Sequence, residues 1–559
     1  MKQIIECVPN FSEGRNPQAI RQITQVIENV EGVTLLDVDP GKATNRTVVT
    51  FVGAPDAVIE AAYQAIVMAS QVIDMSKHSG EHARMGATDV CPLIPVSGIT
   101  LEETAEYAVK LAKRVGDHTD IPVYLYGAAQ PQSYRKDLSI IRSGEYEGFF
   151  KKIKEDKWKP DYGPAVMNAQ AGATVIGARD FLIAYNVNLN TKSTRIANRI
   201  AFDVREAGRV QRIGNQYVGE IARDDQGEPI RIPGSCKAVK AVGWYIEEYG
   251  IAQISANLIN YNITSIHTFF EEVVKSSTER GIRVTGSELV GLVPLKAMLD
   301  AGRYFLQKQE RSIGVSEKEL IHIAVKSLGL DELGPFVPEK KIIEYAMRNA
   351  SDSPLINMTC AALADETASE SMAPGGGSIS AYVGTLGAAL SAMVANLSAN
   401  KKGWEDRVEE FSGWAQKAQE IKDKLLFLVD EDTRSFNGII EALRLPKETT
   451  EEKALRKEAI NKASVYAAEV PLEVMQTAYT CFEPLRYMVT HGNPNSITDA
   501  GVGVLCILTA MEGARMNVLI NAKDLQEDDA NRLRSAANEL IQNGRNQRDD
   551  LIGLVDKAL

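Results

Sequence analysis

No uninterrupted apolar stretch of this 559-residue chain is long enough to cross a bilayer; the longest, at about 501–511, suits a buried helix. Cysteine is sparse too. The six cysteines are scattered without a CxxC pair, which excludes a disulfide framework and a cysteine zinc site and points to a reducing, cytoplasmic compartment. Basic charge is not in excess: 62 Lys and Arg stand against 74 Asp and Glu, a net charge of -12, which argues against a nucleic-acid surface. The opening MKQIIECVPNFSEG carries an acid early and no long apolar core, so it does not read as a signal peptide. What is present is 44% apolar and 24% charged, the balance of a soluble globular protein too long for one core.

Period-2 and period-3.6 patterns organise the first half. Strands are expected at Ile4 to Val8, Val33 to Asp39, Arg46 to Val52 and Pro122 to Tyr126. Helices are expected at Pro17 to Val30, Pro55 to Ile73 and Leu101 to Val115. A similar order recurs, with strands at Phe181 to Leu189, Val239 to Ile246, Ala252 to Leu258 and Ile282 to Thr285, and helices at Ser193 to Glu206 and Ser265 to Glu279. Two βαββαβ patterns predict two ferredoxin-like subdomains, over residues 1–178 and 179–326, whose uncovered sheet faces would enclose a cleft. Residues 327–340 are broken by Gly and Pro and read as a linker. Beyond it, residues 341–559 show helical spacing throughout, the longest runs at Trp404 to Leu443, Pro446 to Cys481 and Glu527 to Leu559. The fold class is therefore an α+β half followed by an all-α helical bundle.

Polar chemistry concentrates in Lys77 to Pro92, KHSGEHARMGATDVCP, which reads as a loop. His82 is the general acid/base candidate, because imidazole titrates near working pH; a merely solvated loop histidine fits the spacing as well. His78 and His82 form HxxxH, but Gly80 and Gly86 disfavour the helix that a metal site of that spacing needs. Cys91 reads as a small core residue. Asp39, Asn45 and Arg46 flank a glycine turn between strands, and with Arg84 they are candidates for holding a polar substrate; a capped hairpin would look the same.

The small-residue segment Gly163, Pro164, Ala165, Val166, Met167, Asn168, Ala169, Gln170, Ala171 and Gly172 would let a flat ligand approach the backbone, or serve as a plain linker. Gly375, Gly376 and Gly377 open an Ala-rich helix whose free N–H groups could meet an anion, with a hinge as the other reading. Asp432 is more informative. At 100° per residue it falls within the stripe Leu425, Leu428, Val429, Phe436, Ile439 and Leu443, while Asp430 and Glu431 point elsewhere. Burial there would raise its pKa and suit it to proton transfer, unless hydrogen bonds alone satisfy it. Asn517 and Asn521, four apart, share a helix face that could complete the pocket.

Several long motifs carry a resemblance. ECVPNFSEGRN, LLDVDPGKATNRTVVTFVG, IDMSKHSGEHARMGATDVCPLIPVSG and GSELVGLVPLKAMLD resemble glutamate formimidoyltransferase. SMAPGGGSISA, LVDEDTRSFNGIIEALRLPK and ARMNVLINAKDL resemble formimidoyltetrahydrofolate cyclodeaminase. Their order is that of the bifunctional formimidoyltransferase–cyclodeaminase family of histidine degradation. The resemblance implies formimidoyl transfer from N-formimidoyl-L-glutamate to tetrahydrofolate, then cyclisation to 5,10-methenyltetrahydrofolate with loss of ammonia. Tetrahydrofolate, polyglutamylated or not, would be a co-substrate, with no metal and no redox cofactor. The resemblance places the catalytic histidine at His82, a folate loop at 163–172 and the cyclodeaminase aspartate at Asp432. Glu288 stands where animal forms are expected to carry Gln; it or Asp39 would stabilise a cationic amidine. A homo-oligomer, in the family an octameric ring, is implied, with no nucleic acid or membrane partner. Two alternatives stay open for the bundle: a methenyltetrahydrofolate cyclohydrolase, or a module that only oligomerises.

Overall fold

β-branched and aromatic runs bounded by Gly, Pro and Asn form the strands of the first half. The computed structural model describes residues 3–42, 44–80, 83–215, 218–347 and 354–559. His82 lies outside them. The chain divides into two units, Met1–Ala301 with Ala324–Met347, and Gly302–Ile323 with Arg348–Leu559. The first is mixed sheet and helix; the second is helical.

In the first unit, β1 (Ile4–Cys7) and β2 (Asn10–Phe11) make one broken central line. It pairs antiparallel with β4 (Arg46–Gly53) on one side and β5 (Thr88–Ser97) on the other. β3 (Val33–Gly41) extends the sheet beyond β4, and β7 (Thr174–Ala178) then β6 (Val123–Gly127) extend it beyond β5 as parallel strands. The helices Pro17–Glu28, Pro55–Val72 and Leu101–His118 bury Ile23, Ile27, Ala61, Ala65 and Leu111 in this unit's core. Each begins with a recognisable signal: Asn16 as N-cap, Pro55 at the first turn, and the Thr100–Glu103 capping box.

β5 corrects the expectation of a loop through Pro92. The strand starts at Thr88 and passes through Pro92 and Pro95 at the sheet centre. Proline lacks a donor but keeps its carbonyl, and the Val8 N–H donates to that of Pro92 at 3.2 Å. Residues 88–94 are all buried, so no alternation marks the strand. β7 (TVIGA) is hidden for the same reason.

The second sheet runs β13 (Val239–Ile246), β14 (Ile251–Leu258), β8 (Ile183–Leu189) and β15 (Val284–Val290), all antiparallel. Four two-residue strands, β9 (Arg209–Val210), β10 (Arg212–Ile213), β11 (Glu220–Ile221) and β12 (Arg231–Ile232), form two side ladders that the sequence did not suggest. Alternation along β8 sends Tyr185 towards the helix Ile266–Thr278, where it meets Phe269 edge-on at 6.1 Å. Asn186 and Asn188 take the opposite face.

The helical unit is built on the helices Gly376–Ala399, Val408–Arg444, Thr450–Thr480, Ile497–Asn521 and Glu527–Ala558. Small residues let two of them cross closely: a Cβ on Gly387 would stand 3.0 Å from the Gly503 carbonyl. Gly376–Ala399 and Pro494–Asn521 are long and apolar enough to span a bilayer by length and composition. Counting only uninterrupted apolar runs misses this, because Gly, Ser and Thr punctuate them without adding charge. In the fold the first of these helices is largely buried.

Candidate active sites

Two segments singled out from sequence meet in the first unit. Residues 85–87 run beside 171–173: the Ala87 N–H donates to the Ala171 carbonyl at 2.7 Å and the Ala173 N–H to the Met85 carbonyl at 3.0 Å. Glycine is required on both sides. A Cβ on Gly86 would lie 2.1 Å from the Ala173 oxygen, and one on Gly172, at φ +72°, would lie 2.4 Å from the Met85 oxygen. Asn168 Oδ1 folds the loop by accepting from the Gln170 and Ala171 N–H groups at 3.0 and 2.9 Å. Met167 and Ala171 are buried, whereas Gly163, Ala165, Val166, Ala169 and Gln170 are exposed.

Asn45 and Arg84 serve as latches. Asn45, at φ +48°, accepts the Gly14 N–H at 3.0 Å and donates to the Ser79 carbonyl at 2.9 Å. Arg84 donates to Glu147 at 2.7 and 3.0 Å and to Glu145 at 2.9 Å, and its Nε reaches His78 Nδ1 at 3.3 Å. Glu147, first among its partners, drives the guanidinium pKa up. Their donors and acceptors are already engaged within the protein.

Asp89, which sequence reasoning left aside, is buried and takes the Met85 N–H at 2.9 Å together with Arg142. Burial raises its pKa, against Arg142. Arg142 also donates to the Ala83 carbonyl at 3.1 Å, which fixes the chain immediately after His82. An acid inside an otherwise apolar strand was the available signal.

Opposed faces of the two sheets enclose a cavity of about 200 Å³ lined by Glu6, Arg46, Tyr126, Arg142 and Arg179 on one side and Ala184, Asn257 and Val290 on the other. Of the residues proposed from sequence, Arg46 lines it. Burial lowers the Arg46 pKa, with Asp89 the first of the charges opposing that. Glu288 accepts from Asn186 at 3.3 Å, Tyr249 at 3.3 Å and Gln253 at 3.4 Å. Burial, then Glu288, pushes the Tyr249 pKa up to about 12, and Asp39 adds to this from the first sheet. Asp39 and Glu288 thus act on one hydroxyl from two sheets.

In the helical unit, the Asp432 carboxyl sits on the glycine turn that opens Gly376–Ala399. A Cβ on Gly377 would fall 2.1 Å from Asp432 Oδ1, and Ser378 Oγ donates to Oδ2 at 3.1 Å. Burial raises the Asp432 pKa, opposed by the Ser378 hydrogen bonds. Asn517 Nδ2 comes within 3.4 Å of where a Gly376 Cβ would be, so Gly376, Gly377, Asp432 and Asn517 converge. Gly375 has open space around it. Asn521 is used elsewhere, donating to the Ala467 carbonyl at 2.7 Å.

The stripe argument needs two corrections. Phe436 and Leu443 are 43% and 46% exposed, and beyond Ser435 the helix buries Ala442 instead of the predicted stripe. Asp430 does point away from Asp432, but into the protein: it is buried and accepts the Leu355 and Ile356 N–H groups at 2.9 and 3.3 Å. Its partners come from a distant segment, which helical periodicity cannot reveal.

Gly377→Ala should displace Asp432 and lower turnover at the bundle site at least about 100-fold, the lower range for losing an acid/base group. Gly438→Ala is the control. It lies on the Asp432 helix with nothing within 4 Å, so it should keep activity and gain about 0.5–1 kcal/mol in denaturant unfolding.

The family pattern described as "Formiminotransferase domain, N-terminal subdomain" matches residues 4–179. "Formiminotransferase domain" matches 184–348, and "Formiminotransferase-cyclodeaminase" matches 359–540. The mouse (Mus musculus) formimidoyltransferase-cyclodeaminase is 41% identical over 529 residues, covering 94% of each chain. A glutamate formimidoyltransferase from Streptococcus pyogenes serotype M1 is 38% identical, covering 56% of this chain and 95% of its own. A methenyltetrahydrofolate cyclohydrolase from Methylorubrum extorquens is 34% identical over 171 residues, 31% of this chain and 82% of its own.

Proposed function

The chain belongs to the formimidoyltransferase-cyclodeaminase family, and from that premise we propose how its residues divide the work. The protein is a folate-dependent bifunctional enzyme of histidine degradation. It transfers the formimidoyl group from N-formimidoyl-L-glutamate to tetrahydrofolate, its co-substrate, and cyclises the product to 5,10-methenyltetrahydrofolate with release of ammonia. In our reading the transferase occupies residues 1–178 and 179–326 as two ferredoxin-like subdomains, a reading supported by the strand orders β3-β4-β1-β5 and β13-β14-β8-β15. Residues 341–559 form the cyclodeaminase. The observation that carries a second, independent site is the half-buried Asp432 carboxyl held against its glycine turn, wholly within the helical unit.

For transfer, N5 of tetrahydrofolate attacks the formimidoyl carbon. His82 takes the N5 proton and returns it to the departing glutamate nitrogen as the old C–N bond breaks. The loop at 163–172 holds the folate, a role supported by its exposed residues Gly163, Ala165, Val166, Ala169 and Gln170. Asn45 holds Ser79, and Arg84 is held by Glu145 and Glu147, which fixes the chain on either side of residue 82. For cyclisation, N10 attacks the amidine carbon, a bond forms there, and the C–NH₂ bond breaks. Asp432, its pKa raised by burial towards the range of a proton carrier, gives a proton to the leaving ammonia and regains one from N10. Asn517 lies within reach of the same turn.

Self-association is supported by apolar residues left in the open: Leu386, Met393 and Leu397 on one helix, and Val502, Leu505 and Met516 on another. Buried Cys7 and Cys91, sulfurs 3.5 Å apart and unbridged, support a reducing cytoplasm. Mixing the protein with formimidoylglutamate and tetrahydrofolate should yield methenyl-folate absorbance and ammonia together. Likeness to a cyclohydrolase favours a second reading of the bundle. Under it, no ammonia would appear and added methenyltetrahydrofolate would be hydrolysed instead.

A further inference from the structure

The cavity between the two sheets holds two ionisable side chains, Glu6 and Arg179, that the mechanism above leaves unused. Glu6 lies on the central strand β1, only 3% exposed, and lines the cavity. Its carboxyl has no hydrogen-bond partner among the described residues. Arg179, immediately after β7, lines the same cavity; it donates to the Asp180 carbonyl at 2.9 Å and pairs with no carboxylate among the described residues. A buried carboxyl without a partner costs stability, and a native fold tolerates one where a ligand completes it.

Size then selects the ligand. At about 200 Å³ the cavity is smaller than the roughly 300–1,000 Å³ that encloses a drug-sized molecule. It suits an amino-acid derivative and not a pteridine with its aromatic arm. Of the two substrates, formimidoylglutamate is the small one. Its formimidoyl group is an amidine: a planar cation whose N–H groups project in parallel, as in a guanidinium, and match the two oxygens of a carboxylate.

We propose that Glu6 binds the amidinium of the formimidoyl donor through a bidentate pair, and that Arg179 takes one of the donor's carboxylates. This rests on the transferase reading and assigns to Glu6 the role that sequence offered to Asp39 or Glu288, neither of which lines the cavity. Around Glu6 stand Arg46, Tyr126 and Arg142 on the same side of the cavity, Cys7 next in the strand, and the charges of Arg179 and Glu344. Burial outweighs them and raises the Glu6 pKa to about 8, with Arg179 opposing and Glu344 adding. Below that value the free carboxyl is protonated, and a cation binds only after the proton leaves. Donor affinity should therefore fall as pH drops below about 8, with a proton released on binding at pH 7.

The test uses full-length Glu6→Gln, nearly isosteric with a carboxyl that is already neutral in the free protein at pH 7. We expect its KM for formimidoylglutamate to rise about 10- to 100-fold, the range for losing one charged hydrogen-bonded partner, with the tetrahydrofolate KM within about twofold. Calorimetric titration of formimidoylglutamate in buffers of differing ionisation enthalpy should show close to one proton released by wild type and none by the variant. Arg179→Gln should raise the same KM without changing the proton count. An unchanged donor KM in Glu6→Gln, or equal proton release by both proteins, overturns the proposal and leaves the transferase reading standing. Absence of any transfer by wild type strikes that reading instead.

Discussion

Asp432→Asn is expected to lower methenyl-folate formation and ammonia release from 5-formimidoyltetrahydrofolate by about 10²–10⁴-fold, the usual worth of a positioned acid/base group. Formimidoyl transfer, carried out in the other unit, should keep its wild-type rate. Asparagine has nearly the shape of aspartate and still presents an oxygen to Ser378 Oγ, which lies 3.1 Å from Oδ2 in the parent. The change removes a proton carrier and little else. Stability should move the other way. Burial raises the folded pKa of Asp432 above its unfolded value. Its stabilising contribution is then present below the unfolded pKa and is lost as pH rises through the folded one. Above the folded pKa the wild-type bundle bears the cost of a partly desolvated charge that Asn avoids, so there the variant should melt no lower than wild type. A variant that melts much lower and turns over normally would mark Asp432 as a hydrogen-bonding prop, and the proton-transfer role would fall.

Asp432 was legible because a helix has one period, and seven residues along it return a side chain to nearly the same face. The same arithmetic failed for Asp430, whose burial comes from Leu355 and Ile356, 75 and 74 residues earlier. Strand alternation found β13 to the residue, since one face of it is buried and the other open. It missed β5 and β7, which are covered on both faces and keep no period. Glu6 was invisible for a related reason. One acid within IIEC reads as the exposed half of an alternation, and its cavity exists only once the second sheet closes over it. Asn45 and Arg84 show the converse: an internal role that the sequence did not suggest. Polar residues beside glycines suggest ligands, but here they bind their own backbone and two glutamates. Composition states which groups need partners; only the fold states whether the protein itself supplies them.

His82→Ala should lower formimidoyl transfer by about 10²–10⁴-fold while cyclisation of supplied 5-formimidoyltetrahydrofolate continues. The neighbouring backbone is held independently of that side chain. Gly80 packs where a Cβ would meet the Thr44 carbonyl at 2.3 Å, Arg142 holds the Ala83 carbonyl, and Arg84 is tied to Glu145 and Glu147. Truncation at 82 therefore leaves those anchors in place, and a lost rate reports chemistry. The competing histidine of the segment, His78, is already committed. Its Nε2 lies 2.9 Å from the Asn45 carbonyl, which only accepts, and its Nδ1 lies 3.3 Å from the Arg84 Nε, which only donates. Both nitrogens are occupied, so His78 cannot relay a proton without releasing the latch. The two residues can be told apart experimentally. His82→Ala should lose the limb of the pH–rate profile that belongs to an imidazole and regain rate with added imidazole. His78→Ala should instead loosen the loop, raise KM for tetrahydrofolate and show no imidazole rescue. Rescue of His78→Ala but not of His82→Ala would transfer the acid/base role from one histidine to the other.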